Sequence, residues 1–160
     1  MCALPGRLRR AGGPPFGIHG GKAMPAAPLR ILIAEDNEDL GASLKLTLEG
    51  MGYDVHIAID GAKAVQAAAD LRPDVILMDI GLPFLNGYDA TGQIRARPGG
   101  RSIAIVALTA WDRDTDVKLS IRAGMDHHLA KPLNLAALCA ILDSAVRRKE
   151  ERTGSAGTVA

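Results

Sequence analysis

Aromatic residues are nearly missing from this chain: two Phe, two Tyr and one Trp, 3% of 160 residues. That scarcity argues against a surface built to stack nucleic-acid bases. A dominant charge is missing too. Nineteen Lys and Arg stand against eighteen Asp and Glu, a formal net charge of +1. The total therefore carries no footprint of a nucleic-acid or membrane-surface partner, and we expect neither. No apolar run approaches the roughly 20 residues that span a bilayer. The first residues lack the continuous apolar segment of a secretory signal. Only two cysteines occur, Cys2 and Cys139, at opposite ends of the chain. We expect no disulfide framework, a reducing compartment and hence a cytoplasmic location.

What is present is enough apolar residue, 48%, to build one proper core. Residues 1–28 are rich in Gly, Pro, Ala and Arg without helical or strand periodicity, and read as a disordered leader. The stretch Gly17–Lys22 superficially suggests a phosphate loop. No strand precedes it, its glycine spacing is wrong, and Ala23 stands where Ser or Thr is required. A regular pattern begins at residue 29. Short apolar strands at 30–34, 53–59, 75–78, 103–108 and 127–130 alternate with helical patterns at 40–51, 61–71, 86–97, 112–122 and 135–148. Residues 149–160 are polar and small and read as a second disordered tail. Five strands alternating with five helices imply an α/β domain over 29–148, a doubly wound, mostly parallel sheet with helices on both faces. The unbroken apolar runs at 75–78 and 103–108 fit strands buried on both sides.

The chemistry gathers at strand ends. Glu35 and Asp36 follow the first strand, Asp79 ends the third, Thr109 the fourth, and Lys131 follows the fifth. In open α/β sheets, ligands bind beyond the carboxyl ends of the strands. Three carboxylates brought together repel, so either one is protonated or a cation sits among them. Carboxylate oxygens with a carbonyl and water suit Mg²⁺. A bland reading exists for each residue alone. Asp36 or Asn37 can cap the following helix, Asp79 can be a polar strand end, and Lys131 a solvated lysine. Their joint spacing is what separates the two readings. Lys131 is followed by Pro132, and an X-Pro bond can be cis, which would fix the turn that aims the lysine.

Ile31–Asn37, Val75–Pro83 with Gly87, Ala107–Ala110 and Gly124–Pro132 together resemble the receiver domain of two-component response regulators, over residues 29–148. The resemblance implies a flavodoxin-like sheet of order 2-1-3-4-5 with its ligand site at the topological switch point. It implies that Asp79 accepts a phosphoryl group from a phosphohistidine. Asp36 would be a direct Mg²⁺ ligand, with Mn²⁺ as a substitute, and Glu35 would help to hold the ion. Asp79 and the Gly81 backbone carbonyl would complete the protein ligands. Thr109 would be the switch hydroxyl and Lys131 the partner of the phosphoryl oxygens. His128 stands where many relatives carry Tyr or Phe, the aromatic that moves with the threonine. Gly81 and Trp111 occupy positions that look onto the acyl phosphate and tune its lifetime. His127 and His128 are adjacent on a strand, so they face opposite sides and do not chelate one ion together.

The expected function is a phosphoacceptor signalling domain rather than an enzyme. A sensor histidine kinase or histidine phosphotransfer protein would donate to Asp79, and the added charge would shift a protein-binding surface. With about a dozen residues after the last helix, output is expected through a protein target, a homodimer or onward transfer in a phosphorelay. A phosphorylation-independent binding module of the same fold is an alternative. An aspartyl phosphatase is disfavoured, because a second acid two residues after Asp79 is replaced by Gly81. A flavin site is disfavoured for lack of a phosphate-cradling loop after the first strand.

Overall fold

The structure is a computed structural model and describes residues 27–110 and 114–156. Five parallel strands form its centre: β1 (Arg30–Ala34), β2 (Asp54–Ala58), β3 (Val75–Asp79), β4 (Ala104–Thr109) and β5 (His127–Ala130). Their order is β2-β1-β3-β4-β5. The helices between and after them are α1 (Glu38–Gly50), α2 (Gly61–Leu71), α3 (Gly87–Ala96), α4 (Asp114–Ala123) and α5 (Leu135–Ala156), with a single 3₁₀ turn at Gly100–Ser102. This is the flavodoxin-like arrangement in which the chain reverses direction across the sheet between β1 and β3.

Side-chain alternation along each strand divides the core in two. Leu32, Ala34, Ile76, Met78, Ile105 and Ala107 face α2 and α3. Ile31, Ile33, Val75, Leu77, Val106 and Leu108 face α1 and α5. β3 and β4 are buried along their whole length, because both faces are covered by helices. The helices start where polar caps accept the first free N–H groups. Asn37 Oδ1 accepts from Leu40 N at 3.1 Å, Asp60 Oδ1 from Lys63 N at 2.7 Å, and Asn86 Oδ1 from Asp89 N at 2.9 Å.

Two expectations are corrected. The last helix does not stop at 148 but runs to Ala156. Lys149, Glu150, Glu151 and Arg152 lack an apolar stripe, yet all are strong helix formers. Lys149 also anchors this segment, its Nζ 2.8 Å from Asp74 Oδ2 and 3.3 Å from the Pro28 carbonyl. Cys139, 1% exposed on α5, is disulfide-bonded. Residues 1–26 of the expected leader at 1–28, and residues 157–160 of the expected tail, lie outside the described residues.

Candidate functional site

The switch between β1 and β3 places their carboxyl ends side by side, with Ala34 in register with Met78. Glu35 continues β1 by bonding its N–H to the Ala58 carbonyl at 3.0 Å. Asp79 is the last residue of β3. Glu35 is 3% exposed and Asp79 8%. Asp36 is exposed at the rim. One carboxylate oxygen from each of Glu35, Asp36 and Asp79 lies within 4.8 Å of the others.

Lys131 reaches this cluster from the far end of β5. Its Nζ is 2.7 Å from Glu35 Oε2 and 3.2 Å from Asp79 Oδ2. Its backbone N–H donates to the Thr109 carbonyl at 2.7 Å, which fastens the end of β5 to the end of β4. The Lys131–Pro132 bond is cis. The second oxygen of Asp79, Oδ1, accepts the Gly81 N–H at 3.0 Å, and Glu35 Oε1 accepts the Asn37 N–H at 3.2 Å. Thr109 is 4% exposed at the same edge.

The charges are not balanced. Burial raises the pKa of Glu35; the Lys131 hydrogen bond opposes this, but the neighbouring Asp79 charge adds to it, and the net direction is upward. For Lys131, burial alone would lower the pKa. The Glu35 hydrogen bond and the Asp79 and Glu35 charges outweigh it, so the ammonium is held more firmly than in water. Lys131 pairs with two of the three carboxyl groups, no other cation among the described residues pairs with them, and the cluster has room in its charge for a divalent cation. Hard carboxylate oxygens suit Mg²⁺, whose octahedral ligands stand roughly 3–4 Å apart. A spread within 4.8 Å is compatible with that donor set.

Glu35, Asp36, Asp79, Gly81 and Lys131 thus come together as the sequence motifs placed them, with Thr109 on the adjoining strand end. His128 is turned toward the α3/α4 side, its Nδ1 3.5 Å from Ser120 Oγ on α4. Trp111 lies outside the described residues. Sequence reasoning gave no role to three features. Gly87 opens α3 hard against the end of β3: a Cβ there would stand 2.5 Å from the Asp79 carbonyl oxygen and 2.8 Å from Ile80 Cα. Its place at the start of a helix pattern was the available signal. The Asn37 N–H that holds Glu35 is a backbone group, invisible in a side-chain pattern. Phe84, five residues past Asp79, is 98% exposed with φ +66°, and an isolated Phe in a loop carries no periodic signal.

Residues 31–143 match the response regulator receiver domain family. The chain is 37% identical over 122 residues to the DNA-binding response regulator MtrA of Mycolicibacterium smegmatis, covering 76% of this chain and 52% of that protein. It spans about half the length of the curated relatives it matches. Among solved structures it is similar to the receiver domain of sensor histidine kinase PA1611 from Pseudomonas aeruginosa, crystallised with a magnesium ion coordinated in its active-site cleft. That match has 42% identity and a TM-score of 0.69, and covers 75% of this chain and 98% of that one. The chemotaxis protein CheY4 of Vibrio cholerae matches at 26% identity and a TM-score of 0.70, covering 74% and 99%. This chain belongs to the response regulator receiver family and carries its CheY-like fold. No helix among the described residues is long and apolar enough to cross a membrane.

Proposed function

We propose that this receiver domain accepts a phosphoryl group on Asp79 from a phosphohistidine, with Mg²⁺ held by Glu35, Asp36, Asp79 and the Gly81 carbonyl. The observation that carries the reading is the setting of one carboxylate. Asp79 is fixed by the Gly81 N–H on one oxygen and by Lys131 on the other, beside two further acids. A carboxylate is a workable nucleophile for a covalent phosphoryl intermediate, and phosphoryl transfer asks mainly for positioning and charge neutralisation. The bound ion supplies charge neutralisation for the incoming phosphoryl oxygens. Lys131 Nζ, already between Glu35 and Asp79, neutralises the other side. The Asp79 oxygen attacks phosphorus, the P–N bond to the donor imidazole breaks, and that bond's electron pair leaves with the imidazole. Thr109, at the end of the neighbouring strand, donates to a phosphoryl oxygen once Asp79 carries the group. That hydrogen bond shifts the surface read by a downstream protein or a second copy of this chain. Trp111 shields the acyl phosphate from water.

A sensor histidine kinase or histidine phosphotransfer protein in the cytoplasm is the donor this chemistry fits. The 42% identity to a receiver that comes from a sensor kinase favours a second reading, that of a relay carrier passing the group onward to another histidine. Incubation with Mg²⁺ and acetyl phosphate, followed by intact mass, tests the core claim. One phosphoryl group should be gained by the natural chain and none by Asp79→Asn. Uptake by that variant, or none by the natural chain, refutes it. Chasing the phosphorylated chain with a histidine phosphotransfer protein separates carrier from terminal switch.

A further inference from the structure

The opposite edge of the sheet holds a groove that phosphoryl transfer at Asp79 does not use. A cavity of about 470 Å³ lies between the end of α2, the α3–β4 connection and the last turns of α5. A second hollow of about 390 Å³ continues it along α5, sharing Asp74, Ser102 and Arg152. Each is of a size that takes a small organic ligand. Val65, Ala68 and Ala69 on α2 form one wall of the first cavity, and Ile94 and Ile103 line it as well.

The rim is basic. Arg72, Arg97 and Arg152 surround the first cavity, and Arg101 and Arg148 join around the second. The acids that line the two are Asp74 and Glu151. Asp74 is already engaged by Lys149 Nζ and by the Arg30 N–H, each at 2.8 Å. In a chain of net charge +1 this is a pronounced local excess.

The cations of this edge fall into two sets. Arg30, Arg95 and Lys149 are bound to carboxylates and carbonyls. The five rim cations are exposed, and among the described residues none of them forms an ion pair or a side-chain hydrogen bond. All five are arginine. A guanidinium grips two phosphate oxygens at once and lies flat on a planar ring, which an ammonium cannot do. We propose that this groove binds a nucleoside polyphosphate, with the phosphates on the arginine rim and the base against the aliphatic wall. Ser102 Oγ donates to the Gly99 carbonyl at 2.8 Å and keeps lone pairs for a sugar hydroxyl or a base N–H.

The test is calorimetric titration of the full chain with ATP, GTP, inorganic pyrophosphate and adenosine, in magnesium-free buffer. ATP or GTP should bind saturably and one-to-one. Pyrophosphate should compete more weakly and adenosine hardly at all. Because each lost arginine removes a charge-assisted contact, Arg72→Gln/Arg152→Gln should weaken binding roughly tenfold or more. Arg101→Gln/Arg148→Gln should also weaken it, and Asp79→Asn should not. The rim side chains are exposed, so melting temperature should hold in both double variants. The proposal is overturned if no titration saturates by millimolar ligand, or if both double variants bind as the natural chain does. It is equally overturned if single-stranded oligonucleotides bind more tightly in proportion to their length, which would mark a general polyanion surface.

Discussion

The two edges of the sheet use the same residue types to opposite ends. At the amino edge Asp54, Asp74 and Asp126 each have a partner, while the five groove arginines stand exposed in water. Asp54 meets Arg30 at 2.8 Å and His56 at 3.0 Å, and Asp74 meets Lys149. Asp126 Oδ2 takes both Arg95 and the Ile105 N–H at 2.8 Å. At the carboxyl edge Glu35, Asp36 and Asp79 crowd together around one ammonium. The first edge closes the fold. The second leaves charge unmatched, and unmatched charge in a partly buried place is what a metal and a phosphoryl group can use. Stability and reactivity are thus separated by the length of a strand, about five residues.

Arg95 tests the closing edge, and its loss should have the largest effect. Its guanidinium donates to the carbonyls of Gly124, Gly100 and Ile103 and to Asp126, tying α3 to the strand starts. Arg95→Ala strands those acceptors, which should cost about 3 kcal/mol, read by urea denaturation. Phosphoryl uptake per folded molecule should stay near that of the natural chain. A matching loss of uptake would mean that the edges are not independent.

Lys131→Met attacks the other edge. It leaves Glu35 and Asp79 without their internal cation, which should destabilise the metal-free protein by about 2 kcal/mol, below the roughly 3–5 kcal/mol of a fully buried broken pair because the lysine side chain is 22% exposed. Unlike Arg95→Ala, this loss should shrink on adding Mg²⁺, because a divalent ion can take over the neutralisation. Uptake of phosphoryl should fall sharply. Melting curves with and without Mg²⁺ read the difference, and a deficit indifferent to the ion would argue against a cation site.

How far these edges can be read without coordinates differs in an instructive way. Glu35-Asp36, Asp79, Thr109 and Lys131 each sit beside a strong apolar run, and position at a strand end is a local property. The motifs therefore display the carboxyl edge. The order of the strands came from family resemblance, since alternation alone gives a parallel sheet without an order. The amino edge was not legible. Arg95 and Asp126 are 31 residues apart, and Lys149 and Asp74 are 75 apart. No local period links such pairs. The same blindness ended α5 too early, because Lys149–Arg152 are held in the helix by propensity and by a distant acid rather than by an apolar stripe.

A pair of glycines sharpens the comparison with smaller effects. At Gly87 a Cβ would press on the Asp79 carbonyl, and at Gly100 on the Ile94 carbonyl. Alanine at either should cost about 2 kcal/mol through forced backbone shifts. Only Gly87→Ala moves the end of β3, so only it should slow phosphorylation by acetyl phosphate. Equal slowing by Gly100→Ala would show that strain travels along the strand.

The smallest effect is one of sign, in the response to acid. Asp54 has its pKa lowered, first by the Arg30 hydrogen bond, against some burial, with further help from His56 and the Arg30 charge. Its stabilising contribution is present above the unfolded value of 3.8 and is lost as pH falls through the lower folded value. Glu35 has its pKa raised, first by burial. As pH rises past 4.5, the unfolded chain releases this proton before the folded one does, so stability declines until the folded value is passed. Acidifying the metal-free protein across that window should therefore relieve the carboxyl edge before it weakens the amino edge. Urea midpoints measured from about pH 6 down to about pH 3, a range that brackets the ordinary carboxylate values, should rise slightly and then fall. Glu35→Gln should remove the rise and Asp54→Asn should blunt the fall. Mg²⁺ should abolish the rise, since a bound cation favours the ionised carboxylate. A rise that survives in Glu35→Gln would place the unmatched charge elsewhere in the molecule.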